Sequence, residues 1–196
     1  MSNPGSPIRI GIVSSIDVSC GNAAFTRVLA NSLAALPGVR VELLSLDLEL
    51  TQSTGATERR LADRHIDDLC RRMRDLDAVN IQFEQSLYGI GSGDILRRLE
   101  RLLDANPRTF VTLHAVRTVD RSQILPQHIL ARLSELRVRT ALGMLKAYVA
   151  TQQQTKASQR YVEAIASRRR PMIVHTERSA RRIRMLAPAA DVALHP

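Results

Sequence analysis

The sequence has no tryptophan, three tyrosines and three phenylalanines, so stacking of bases on aromatic side chains is poorly provided for and nucleic acid is an unlikely class of partner. Cysteine is scarce as well. Cys20 and Cys70 stand 50 positions apart, which is no metal-ligand spacing and rules out a disulfide scaffold, and such sparse usage fits a reducing compartment. No window reaches the roughly 18 uninterrupted apolar residues that a spanning helix requires. Met1 to Pro7 is polar and reads as a disordered start, without the basic and apolar segments of a signal peptide. A cytoplasmic protein is therefore expected. Lysine is nearly missing: 26 of the 28 basic residues are arginine.

What is present suits one globular domain. The 196 residues are 44% hydrophobic and 24% charged, enough to bury a sizeable core. The net charge of +9 is local, since residues 1–114 hold 13 basic and 14 acidic groups, residues 115–170 hold 11 and 3, and residues 171–196 hold 4 and 2. A concentrated positive segment attracts anionic partners such as lipid surfaces or diphosphates, and salt weakens such attraction. The plainer alternative is a solvated arginine-rich helix.

Hydrophobic patterning predicts an α/β chain. Ile8–Ser14, Val39–Leu46, Ala78–Phe83, Thr109–Leu113, Met172–Val174 and Asp191–Leu194 read as six strands. Between them, Ala23–Leu36 places Phe25, Val28, Leu29, Leu33 and Leu36 at helical spacing, and Glu58–Leu76 does so with Leu61, Ile66, Leu69 and Met73. Ile95–Ala105 follows a glycine-rich stretch, with Ser92 or Asp94 as its cap, and Arg178–Leu186 is capped by Thr176. The order βαβαβαβ with short connections implies a Rossmann-like, doubly wound parallel sheet over residues 8–194, with ligands beyond the carboxyl ends of its strands. A basic helical insert at 115–170 interrupts the alternation before the fifth strand. Two or more helices are expected there, separated by polar Thr151–Gln159.

Chemistry-bearing residues fall at strand ends. Gly21 and Asn22 lie between the first strand and first helix, where a glycine admits backbone amides to a phosphate; a simple turn is the alternative. The glycines of G-x-G-x-x-G are missing, which disfavours an NAD-dependent oxidoreductase, and no G-x-x-x-x-G-K-[ST] occurs. Glu84 follows the third strand, where a carboxylate can bind a hydroxyl or act as a base, unless it is an exposed loop residue. His114 follows the fourth, so both are expected at one cleft. His175 and Glu177 follow the fifth.

Four motifs, in this order, resemble the N-terminal domain of a glycosyltransferase with two Rossmann-like domains (GT-B), close to retaining glycosyltransferase family 4. Cys20-Gly21-Asn22-Ala23-Ala24-Phe25-Thr26-Arg27 resembles C-G-I-A-x-Y-T-R, and Ile81-Gln82-Phe83-Glu84-Gln85-Ser86-Leu87-Tyr88-Gly89 resembles I-Q-H-E-F-G-L-F-G. Val111-Thr112-Leu113-His114 resembles V-T-L-H, and Ile173-Val174-His175-Thr176-Glu177 resembles I-V-H-T-E. Asn22 stands in place of Ile, Phe83 in place of His and Gln85-Ser86 in place of Phe-Gly.

The resemblance implies a hexosyltransferase that works without a bound metal or cofactor, using a nucleotide-diphosphate sugar as donor and a glycan or lipid-linked acceptor. His114 would be catalytic, Gly21, Asn22, Glu84 and Tyr88 would bind acceptor or phosphate, and His175 and Glu177 would stand by the cleft. It further implies that the donor is held mainly by a C-terminal domain, in cis or as a separate chain. That domain is expected to be absent from these residues, leaving them inactive alone. The insert at 115–170 would dock peripherally on an anionic inner membrane face. The competing reading is a non-enzymatic Rossmann-like interaction module with a basic helical surface.

Overall fold

The computed structural model describes residues 6–16, 21–115, 127, 130–131 and 138–195. Strands β1 (Ile8–Ser14), β2 (Val39–Ser45), β3 (Ala78–Phe83), β4 (Thr109–Leu113), β5 (Met172–Val174) and β6 (Val192–Leu194) form one sheet in the order β2-β1-β3-β4-β5-β6. Every neighbouring pair is parallel. The expected Rossmann-like α/β architecture is therefore present. Winding runs from β1 outward to β2, then restarts on the other side of β1 with β3, and such a reversal opens a crevice at the carboxyl ends of the two strands that flank it.

Helices α1 (Gly21–Ala34), α2 (Leu48–Thr51), α3 (Ala56–Arg74), α4 (Gln85–Tyr88), α5 (Ser92–Ala105), α6 (Val138–Ser167) and α7 (Glu177–Leu186) complete the described elements. Helix α3 packs on α5 and α5 on α6, while α1 lies on β1 and β2, and α7 on β5 and β6. The core lies between sheet and helices: β3 is buried from Val79 to Phe83, and Ile66, Leu69, Met73, Leu99 and Leu102 close over it. A Cβ at Gly11 would stand 2.5 Å from Leu76 Cδ1, so the glycine of β1 makes room for the Leu76 side chain in the turn between α3 and β3. Asn106 joins the turns after α3 and α5, donating to the carbonyls of Met73 and Leu76 at 2.7 and 2.8 Å.

Four expectations need correction. Helix α1 turns Ala23, Thr26 and Ala30 inward, with Val28 67% exposed and Leu36 also outside, because small side chains allow close approach to the sheet and the Thr26 hydroxyl meets Ser14 Oγ at 2.7 Å. In α3, Leu61 is 41% exposed and Ala62 and Cys70 are buried instead. Neither Ser92 nor Asp94 caps α5: Gly91 is its N-cap, and the Asp94 carboxylate is taken by Arg59 at 2.8 and 2.9 Å and by Arg97 at 2.9 Å. The stretch 151–159 does not break α6, which runs on through it with the hydroxyls of Thr151 and Thr155 donating back to the carbonyls of Ala147 and Thr151. Thr176 caps α7 as expected, accepting from the Ser179 amide at 3.1 Å. Residues 116–126, 128–129 and 132–137 of the insert lie outside the described residues, as do Cys20 and Met1 to Gly5. Among the described residues no helix is long and apolar enough to cross a membrane.

Candidate functional site

Three successive parallel strands each deliver a histidine just past their last residue. In the sheet register Leu113 pairs with Val174 and Val174 with Leu194, so His114, His175 and His195 follow in adjacent positions along the carboxyl edge. Strands lie about 4.8 Å apart, and the rings sit accordingly: His114 and His175 have centroids 5.4 Å apart, and His175 and His195 6.3 Å. Phe25 of α1 closes over the first two, edge-on to His114 at 5.2 Å and to His175 at 5.4 Å.

A chain of hydrogen bonds orients His114. Thr112 Oγ1 accepts from Asn80 Nδ2 at 2.9 Å, Asn80 Oδ1 accepts from Gln82 Nε2, and Gln82 Oε1 lies 2.6 Å from His114 Nε2. Asn80, Gln82 and Thr112 are all buried. With the Gln82 amide nitrogen committed to Asn80, its oxygen can only accept, so His114 carries its proton on Nε2 and leaves Nδ1 as an acceptor. Burial, and then the neighbouring His175, push the His114 pKa down to about 4, so the ring is neutral at physiological pH. His175 donates from Nδ1 to the His195 carbonyl at 3.0 Å, and its buried Nε2 has no partner among the described residues.

The remaining predicted residues are distributed around this row. Gly21 and Asn22 form the first turn of α1; Gly21 is exposed, and both side-chain polar atoms of Asn22 are buried without a partner among the described residues. Nearby, Arg27 donates to the Ile16 carbonyl at 3.1 Å, tying the helix to the end of β1. Glu84 follows β3, next to His114 on the adjacent strand, but it lines a separate cleft of about 790 Å³ between the α4–α5 turn and α6. Tyr88 is corrected to a core residue. It is fully buried against Phe83, its hydroxyl donates to the Gln82 carbonyl at 3.0 Å, and burial raises its pKa, so it offers nothing to a ligand. Glu177 is exposed on the first turn of α7, away from the ring contacts.

Sequence reading missed Gln82, Phe25 and His195. Gln82 had a signal, since with Asn80 it places amides at alternate positions of a strand that is buried from Val79 to Phe83. No three His, Cys, Asp or Glu side chains among the described residues converge as metal ligands. Comparison of the chain with protein-family models, with curated proteins and with solved structures returned no match.

Proposed function

We propose that this domain is the acceptor-binding half of a sugar-nucleotide-dependent glycosyltransferase resembling retaining family 4, working at a cytoplasmic membrane surface. One observation carries the reading: Phe25 from the first motif, His114 from the third and His175 from the fourth share a ring cluster, and Glu84 from the second directly follows β3 as His114 follows the neighbouring β4. In this mechanism neutral His114 meets the transferred sugar as a hydrogen-bond acceptor at Nδ1, its ring held by Gln82. The first-turn amides of α1 at Gly21 and Asn22 face donor phosphate with the positive end of the helix dipole. Glu84 receives an acceptor hydroxyl. A second domain, in cis or as a separate chain, holds most of the nucleotide.

The membrane part of the reading is supported by α6, where Val138, Leu142, Leu145 and Val149 recur at intervals of four, three and four residues and are all exposed. Two arginines of the basic insert are used within the fold. Arg168 pairs with Asp104 at 2.6 Å, and Arg170 donates to the carbonyls of Leu103 and Pro107. Arg139, Lys146, Lys156 and Arg160 remain on the exposed helix.

Calorimetry with UDP- and GDP-sugars tests the division of labour. Residues 1–196 are expected to bind none of them tightly, and the chain joined by its donor domain to bind and turn over one. Tight binding by residues 1–196 alone would put the donor site here and overturn the assignment.

A further inference from the structure

The cleft that contains Glu84 has a composition at odds with the rest of the molecule. In a chain with 26 arginines, no arginine, lysine or histidine lines it among the described residues. Its polar groups are instead four carboxamides, Gln52, Gln85, Gln153 and Gln154, with the hydroxyls of Ser86 and Ser92 and the single carboxylate of Glu84. Its volume of about 790 Å³ is that of a small-molecule site.

Each carboxamide has a defined orientation or is available. Gln52 donates from Nε2 to the Ser86 carbonyl at 3.1 Å and Gln85 from Nε2 to Ser158 Oγ at 2.9 Å, so both keep a carbonyl oxygen as acceptor. Gln153 and Gln154, on the exposed side of α6, have both donor and acceptor without a partner among the described residues. Vicinal hydroxyls each donate and accept, which is the pairing that amides supply. Ile90, 59% exposed between Gly89 and Gly91, adds an apolar ledge of the kind on which the C–H face of a sugar ring can rest. Other ligands are poorly served. Among the described residues a phosphate finds no cation, and the one lining aromatic, Tyr161, is 2% exposed and cannot stack on a base.

We infer that this cleft binds an uncharged, polyhydroxylated segment of the acceptor, with Gln153 and Gln154 as its specificity-determining contacts. The inference rests on the glycosyltransferase reading for the word acceptor, and on the cleft alone for the ligand chemistry. A glycan is thus bound through its sugar hydroxyls, and any phosphate or lipid it carries lies outside the cleft.

Amide-resolved NMR titration of the 196-residue chain tests this, with neutral trisaccharides of glucose, mannose, galactose and N-acetylglucosamine as probes, and the corresponding sugar 1-phosphates beside them. Neutral probes should shift Gly89–Ser92 and Gln153–Gln154 at millimolar concentration. The Gln153→Leu, Gln154→Leu double variant should weaken this at least about fivefold without moving the thermal midpoint. Ala150→Trp, which fills the cleft from an exposed position, should abolish it. Silence of those amides with every neutral probe overturns the inference, as does tighter binding of the phosphates in the cleft. Either result leaves donor turnover untouched as a separate measurement, and failure of donor turnover leaves the titration standing.

Discussion

His114 shows how a strand end converts backbone register into chemistry. The Thr112, Asn80 and Gln82 side chains hold one tautomer, and burial followed by the His175 neighbour lowers its pKa to about 4. Because the folded value lies below that of an unfolded histidine, near 6.5, the unfolded chain takes up the proton first. The contribution of His114 to stability is thus complete above pH ~6.5 and fades as the pH falls toward 4. Imidazole ¹⁵N NMR should find the Nε2–H tautomer still neutral at pH 5.5. A ring that titrates near 6.5 instead would show that Gln82 and the burial do not control it. The tautomer matters for function, since only the unprotonated Nδ1 is left to accept from a sugar hydroxyl.

Among elements, α3 and α5 are joined by an ionic network with a buried centre. Arg98, 0% exposed, donates from Nε to Asp63 at 2.8 Å and from Nη1 to the Tyr88 carbonyl at 2.8 Å, thereby also fixing the turn after α4 that forms one wall of the cleft. Replacing it by Met leaves the Asp63 carboxylate to Arg97 alone and removes this donor from the Tyr88 carbonyl, and about 1–3 kcal/mol of stability should be lost in urea unfolding. Hydrogen bonds from Arg59, against the opposing effect of burial, hold the Asp94 carboxyl below its ordinary range; at Asp63 burial acts upward, but Arg98 and Arg97 outweigh it. Depressed carboxylates stabilise above the unfolded value near pH 4, and that stability is lost as pH falls through the folded values. Asp94→Asn should flatten the fall in stability on the acid side, and an unchanged slope would remove this network from the account. For α6, co-sedimentation with anionic vesicles should fade with salt and drop when Leu142 and Leu145 are changed to Asp. Failure to bind at low salt would leave the stripe to a protein contact.

At the scale of the whole molecule, the sheet was legible because β3, β4 and β5 are short, mostly apolar segments bounded by turn residues, and their observed limits are those read from the sequence. The phase of α1 was not, since Phe25, Leu29 and Leu33 span a broad apolar arc of which the tightly packed edge is Ala23, Thr26 and Ala30. Glu84 and His114 were correctly placed at strand ends. Their separation into a cleft and a histidine row was hidden, because it depends on where α6 lies and on a register that no single strand displays. Tyr88 was misread for a similar reason: its motif position says nothing about which way a four-residue helix turns its side chain. Sugar transfer at this edge is tested by turnover of the chain with its donor domain supplied, wild type against His114→Ala, normalised to folded protein. Turnover per folded molecule should fall about 100-fold or more in kcat, well beyond what the loss of stability explains. Unchanged turnover would contradict it and return His114 to a purely structural role.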